Sequence, residues 1–336
     1  MRPIRTLFKA AAVVGLAGIL GVGAWLVWES RAPAPGGSGV VFFEVEKGQN
    51  VRTVAEALKA RGLLRKSTPF ILLYKFFYQP RSIRAGEYAL RPGFGIRETL
   101  ETLLQGKVHL YSVTVAEGLT GTETFEAFIS ASFGDKETFA TAFAGTAEIG
   151  LLDPKAADLE GYLFPETYHF PKGAAAAEIL NRMVSQFKET FGPDDRRRAA
   201  ELGMSPRDVV ILASLIEKET SRLEEKPLVS AVFHNRLRLG MKLDCDPTII
   251  YALKRAGPFE GPLRTKDLKF DSPYNTYLYR GLPPGPICNP GLVSIKAALF
   301  PASADFLYFV ADRNGGHVFS RTIREHQAAV RNYRLR

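Results

Sequence analysis

Residues 10–28 (AAAVVGLAGILGVGAWLVW) run without a single charge, whereas most of the remaining chain mixes apolar and polar positions at short range. At the α-helical rise such a run is ~28 Å long, about the thickness of a bilayer's hydrocarbon core. Arg2, Arg5 and Lys9 precede it, and Trp25 and Trp28 stand near its far end, where interfacial aromatic residues belong. The pattern predicts one membrane-spanning helix over 10–28. Residues 1–9 would then be cytoplasmic and everything beyond the helix extracytoplasmic, since basic flanks stay inside. A cleaved signal peptide would have a shorter core and a small-residue cleavage site; this run is longer and closes on Trp-Leu-Val-Trp-Glu.

Residues 29–39, which include APAPGGSG, have linker composition, with proline and glycine and no apolar face to bury. Beyond them, FFEVEKG alternates apolar and charged residues and reads as a strand that stops at Gly48. Asn50 is placed to cap a helix in which Val51, Val54, Ala55 and Leu58 recur at helical spacing, with Gly62 ending it. Ser67-Thr68-Pro69 starts another helix through Phe77, and EYALRPG is a second strand. The strand–glycine–helix unit then recurs: Val45-Glu-Lys-Gly48 before AEAL is matched by Val115-Ala-Glu-Gly118 before FEAF. These elements predict an α+β protein with a small unit over 40–107 and a larger one over 108–336.

Composition narrows the classes. A hydrophobic fraction of 46% with 24% charged residues excludes wholesale disorder. A mean hydropathy of −0.05 excludes a multi-span transporter. The formal charge of +9 favours anionic surfaces or substrates, but Arg196-Arg197-Arg198 reads as a solvated charge run, and no nucleic-acid partner is expected. The histidines show no H-E-x-x-H spacing, and no phosphate loop or dinucleotide fingerprint is present. Neither a metal nor a cofactor is expected. Cys245 and Cys288 leave open either a disulfide or two separate buried thiols.

One helix could carry chemistry. Ser205-Pro206-Arg207-Asp208 is a strong helix start, and VVILASLIEKETSR follows, with Val209, Leu212, Ala213 and Ile216 forming a buried stripe. Val210, Ala213, Ser214 and Glu217 share an adjoining face, while Lys218 and Glu219 are expected to turn away. An apolar flank and a place near the negative end of the helix dipole both favour a neutral carboxylic acid at Glu217. A solvated Glu-Lys-Glu tail is the alternative. Downstream loops rich in Pro, Gly, Asn and Tyr (Asn235, Asp244, Asp246; Tyr274–Tyr277; Asn289–Gly291; Gly315–His317) offer rigid neutral hydrogen-bonding groups.

At these residues the chain resembles the endolytic murein transglycosylase (YceG-like) family of membrane-anchored enzymes that cut peptidoglycan strands. The matching stretches are LEGYLFPETY (159–168), ILASLIEKET (211–220), VFHNRLRLGMKLDCDPT (232–248), YNTY with GLPPGPICNPG (274–291) and LYFVADRNGGHVFS (307–320). Residues 41 to about 107 resemble that family's LysM-like subdomain. The resemblance implies that Glu217, the first glutamate of EKET, is the single general acid/base in non-hydrolytic cleavage of the β-1,4 bond between N-acetylmuramic acid and N-acetylglucosamine. Asn275, Tyr277, Asp246 and Glu166 are the candidates for positioning substrate or orienting Glu217. Peptidoglycan synthases of the elongation or division machinery are the implied partners, at the cytoplasmic membrane. A hydrolytic muramidase and a non-catalytic wall-binding scaffold are the rival expectations.

Overall fold

The computed structural model describes residues 2–31 and 39–334, so most of the linker expected over 29–39 lies outside the described residues. The chain divides into two compact units: Met1–Tyr111 with His169–Lys172, and Ser112–Tyr168 with Gly173–Arg336.

The first unit opens on helix α1 (Arg2–Arg31). Among the described residues no helix is long and apolar enough to cross a membrane, and several side chains of the 10–28 run lie outside that description. Strand β1 (Val41–Val45), helices α2 (Val51–Ala60) and α3 (Ser67–Phe77), strand β2 (Gly86–Leu90) and helix α4 (Ile96–Gln105) follow. β1 and β2 are antiparallel, with Phe43 opposite Tyr88. Strand alternation turns Phe43 and Val45 inward and leaves Phe42 and Glu44 exposed. The inward residues meet Val54, Leu58, Phe70, Leu100 and Leu103 in one core; each fully buried side chain of this kind contributes about 1.5–3 kcal/mol. Asn50 caps α2 by accepting the Thr53 N–H at 2.9 Å, and Gly106 ends α4 at φ +66, a conformation that favours glycine. Lys172 pairs with Glu44 and Glu87 at 3.0 and 3.4 Å, which ties the 169–172 segment to this unit; the exposed pairs contribute little to stability.

The second unit holds the catalytic candidates. Strands β3 (Leu110–Thr114) and β4 (Thr167–Pro171) are each divided between the units; wholly within the second are helices α5 (Gly121–Ser130), α6 (Lys136–Phe143), α7 (Ala176–Thr190), α8 (Pro193–Glu201), α9 (Pro206–Glu219), α10 (Lys226–Arg238), α11 (Asp246–Ala256) and α12 (Leu292–Leu299). The hairpin β5 (Tyr308–Ala311) and β6 (His317–Ser320) and helix α13 (Ile323–Arg334) complete it. β3 pairs with β4, and β5 with β6.

α9 organises this unit. The predicted start is present as a capping box: Ser205 Oγ accepts the Asp208 N–H at 3.2 Å, and the Asp208 carboxylate accepts the Ser205 N–H at 2.9 Å. The expected buried stripe is too narrow. Every residue from Val209 to Ile216 is buried, because α8, α10, α11 and α12 all pack against α9. A helix enclosed on every side needs no polar face. The one hydroxyl in that run, Ser214, donates to Ile211 O at 2.7 Å and accepts the Ile287 N–H at 3.1 Å. Glu217 is therefore carried on a helix enclosed by four others.

Candidate active site

Glu217 sits two residues before the end of α9, and donors reach it from two other helices. Lys226 Nζ, on the first residue of α10, donates to Oε1 at 2.9 Å. The Gly291 N–H and Ser294 Oγ donate to Oε2 at 3.0 and 2.7 Å. The side chains of Lys226 and Glu217 are only 2% and 8% exposed, so this pair is not screened as a surface pair would be, and breaking it would strand a buried charge. Gly291 is the N-cap of α12 and has no side chain to accept from the helix. Glu217 supplies the missing acceptor, at the positive end of the α12 dipole. The apolar setting expected for Glu217 is thus replaced by a cation, an N–H and a hydroxyl. Periodicity along α9 could not reveal this, because all three donors come from other segments.

A second carboxyl stands beside the first. Glu117 follows β3 in the turn Val115–Gly118, and its Oε2 lies 3.9 Å from Lys226 Nζ. Gly118 turns the chain at φ +78; its N–H donates to Asn289 O at 2.9 Å and its carbonyl accepts from Lys218 Nζ at 3.2 Å. A methyl group on Gly291 would fall 1.9 Å from Glu117 Oε1, so the glycine admits the carboxyl. Burial, and after it the charge of Glu217, raises the Glu117 carboxyl above its ordinary range, while Lys226 opposes the rise. Asn289 holds the surrounding loops: its side chain accepts the Leu163 N–H and donates to Leu119 O, both at 3.0 Å.

None of Asn275, Tyr277, Asp246 and Glu166 is among the hydrogen-bond partners of Glu217. Asn275 is buried and braces its own loop, donating to Leu268 O and Phe270 O and accepting the Tyr277 N–H. Tyr277 donates to Asp246 Oδ1 at 2.6 Å. These three belong to the cluster around Cys245, whose N–H donates to Thr276 Oγ1 at 3.0 Å. Glu166 is exposed and accepts the N–H of its neighbour Thr167; its carbonyl accepts the Val115 N–H and so steadies the strand leading into Glu117.

Glu219 does not turn away into solvent. Two residues rotate the helix by about 200°, which carries Glu219 to Cys245, and its carboxyl is pushed up to about 7. Burial is the main cause; the Cys245 hydrogen bond and Arg236 oppose the rise, and Asp246 adds to it. Glu160, which accepts the Gly121 N–H at 2.9 Å and the Tyr251 hydroxyl at 3.2 Å, is pushed up to about 8, again mainly by burial. The sign follows from linkage. A carboxyl raised in the folded state contributes most below its unfolded value near 4.5 and loses that contribution as pH rises through 7 and 8. Thermal melts from about pH 5 to pH 8 are therefore expected to show a falling Tm, with a shallower fall in Glu219→Gln and in Glu160→Gln. Identical slopes in all three proteins would refute this assignment.

Cys245 and Cys288 are both buried and both free, which decides between the two expectations in favour of separate thiols. Cys288 Sγ donates to Ser214 O at 3.4 Å, while Cys245 is engaged with Glu219. At the N-cap of α10, Glu225 accepts the His317 N–H at 3.0 Å and lies 2.7 Å from His317 Nδ1, fastening the β5–β6 turn beside Lys226. Among the described residues no group of three or more His, Cys, Asp or Glu side chains is arranged to hold a metal ion. A cavity of 740 Å³ lined by Asp208, His234 and Arg238 opens at the other end of α9, about 13 Å along the helix from Glu217.

The profile of the YceG-like family matches residues 43–332. An endolytic murein transglycosylase of Bacillus subtilis (strain 168) is 32% identical over 312 residues, spanning 87% of this chain and 84% of the relative. One of Streptococcus pneumoniae serotype 2 is 27% identical over 308 residues, and the match spans 55% of that longer protein. A crystal structure of a yceG-like protein from Listeria monocytogenes aligns over 87% of this chain and all of its own, at a TM-score of 0.56 and 29% identity.

Proposed function

This chain belongs to the YceG-like family, and we propose that it is an endolytic lytic transglycosylase. It cuts the β-1,4 bond between N-acetylmuramic acid and N-acetylglucosamine within peptidoglycan strands and leaves 1,6-anhydromuramyl ends. The observation that carries the reading is the convergence of three donors on the Glu217 carboxyl. Protonated Glu217 gives its proton to the glycosidic oxygen as the bond breaks with oxocarbenium character. Negative charge then develops on Glu217, where Lys226, Gly291 and Ser294 are already aimed, so little reorganisation is needed. The carboxylate next takes the proton of the muramyl C6 hydroxyl, which attacks C1 and closes the anhydro ring. The Ser294 hydroxyl suits both halves of the cycle, since it can donate to the carboxylate and accept from the acid. The substrate supplies the nucleophile, so one carboxyl serves as acid and then as base.

The same reading places the protein at the cytoplasmic membrane. Support comes from the uncharged run over 10–28 with its basic N-terminal flank, and from Val13, Val14, Leu16 and Leu20 of α1, which are exposed. The β–α–α–β core of the first unit is LysM-like in its element order, and its 420 Å³ cavity, bordered by Asn50, Arg52, Tyr74, Lys75 and Gln79, offers hydrogen bonds suited to a glycan. Peptidoglycan synthases are the proposed protein partners.

The test is mass spectrometry of soluble products after the full chain, in detergent, has acted on purified peptidoglycan. Anhydromuramyl ends are expected. Reducing muramyl ends would move the assignment to a hydrolase and single out Glu117, not Glu166 or Asp246, as the second carboxylate. Wall binding without any product would establish the scaffold instead.

A further inference from the structure

Lys226 is the first residue of α10, almost wholly buried, with one ammonium and two carboxyls in reach: Glu217 at 2.9 Å and Glu117 at 3.9 Å. The two acids are not equivalent. Glu217 is 8% exposed and held by three donors, whereas Glu117 is 45% exposed, on the solvent side of the same cation. The turn that presents Glu117 is built for the purpose: Gly118 takes φ +78, Lys218 and Asn289 bond its backbone, and the bare Cα of Gly291 leaves room for the carboxyl.

We propose that Glu117 is a positioning residue of the cleavage reaction, acting through Lys226: it competes with Glu217 for the single ammonium and so sets how firmly the Glu217 carboxylate is held. With Glu117 ionised, its negative charge opposes a second negative charge at Glu217 and draws on Lys226, which favours the acid form needed for the first step. With Glu117 neutral, Lys226 belongs to Glu217 alone, which favours the carboxylate needed for the second. The charged groups around Glu117 are Glu217 and Lys218 from α9 and Lys226 from α10. The first turn of α12 adds none, and Lys296 farther along is turned to Asp195 at 2.6 Å.

The proposal rests on Glu217 being the acid/base, and the experiment separates the two. The pH profile of product release from purified peptidoglycan is measured with the full-length wild type, Glu117→Gln, Glu117→Asp, Gly291→Ala and Glu217→Gln. In Glu117→Gln the alkaline limb is expected to move down by about one pH unit, the size of effect that loss of a neighbouring like charge produces. Glu117→Asp, which keeps the charge, restores most of the wild-type limb. Gly291→Ala displaces the Glu117 carboxyl without changing its charge, and its limb moves the same way by less. Superimposable profiles for wild type and Glu117→Gln, with or without a uniform loss of rate, would overturn the proposal. Wild-type rates in Glu217→Gln would instead overturn the reading beneath it. A second measurement needs no turnover: the carboxyl carbon of Glu117, followed by NMR, is expected to titrate at lower pH in Glu217→Gln. An unmoved midpoint would mean that the two carboxyls are not coupled, and the proposal would fall.

Discussion

The Lys226→Met variant is expected to lose about 3–5 kcal/mol of folding stability at pH 7, the cost of leaving a shielded charge without its partner. Methionine keeps most of the apolar stem, so the change reports the ammonium and not a cavity. What remains is Glu217 on two neutral donors with Glu117 beside it. The loss should also depend on pH with a definite sign. Lys226 is the group that holds Glu117 down against burial and the charge of Glu217; without it Glu117 rises further. A carboxyl raised in the folded state loses its contribution as pH climbs through the folded value, so the variant is least impaired in acid and falls away toward neutrality. Denaturant titrations at several pH values decide the matter. A loss under about 1 kcal/mol, with no pH dependence, would mean that Lys226 is no more than a surface-grade ion pair.

Glu217→Gln should lower the rate of anhydromuramyl product release by about 10²–10⁴-fold, the range for removal of a general acid/base. Glutamine preserves the volume and can still accept from Lys226 through its carbonyl oxygen. Its amide group, however, then faces the Gly291 N–H, donor against donor. A modest loss of stability is therefore expected alongside the loss of rate. The rate is read from the time course of soluble product, with a thermal melt as the control for folding. A variant within about tenfold of the wild type would exclude Glu217 as the proton carrier.

What could be read from the chain alone follows the range over which each feature is encoded. The caps at Asn50 and Ser205, the strands over 41–45 and 86–90 and the helix under Glu217 are local, written within a few residues of where they act. The placing of Glu217 on a structured helix was legible for the same reason. Its partners were not. Lys226 reads as one more polar residue in EEKP, and Glu117 as part of a turn in VAEG. Nothing near either shows that one is buried and that both meet across helices from distant parts of the chain. For Glu219 the neighbouring Lys and Glu suggest a solvated end, whereas it is only partly exposed and its carboxyl meets Cys245 from a distant loop. Asn275 and Tyr277 stand out in the sequence for their chemistry, but the hydrogen bonds they make to Leu268, Phe270 and Asp246 cannot be read from it. One cue for Glu117 was available: the glycine directly after it marks a turn that brings the backbone close to something, here Glu217 Cγ, 3.6 Å from where a Gly118 side chain would begin.

The donors and acids of the site come from positions 117, 217, 226, 291 and 294, so the constellation does not exist until nearly all of the chain is available to fold. A polypeptide made from its N-terminus carries the acid long before it carries Gly291 and Ser294, the two groups that complete the hold on it. Until they arrive the chain contains a glutamate but no cutting centre. The order in which the parts are delivered therefore sets the earliest moment at which that centre can form.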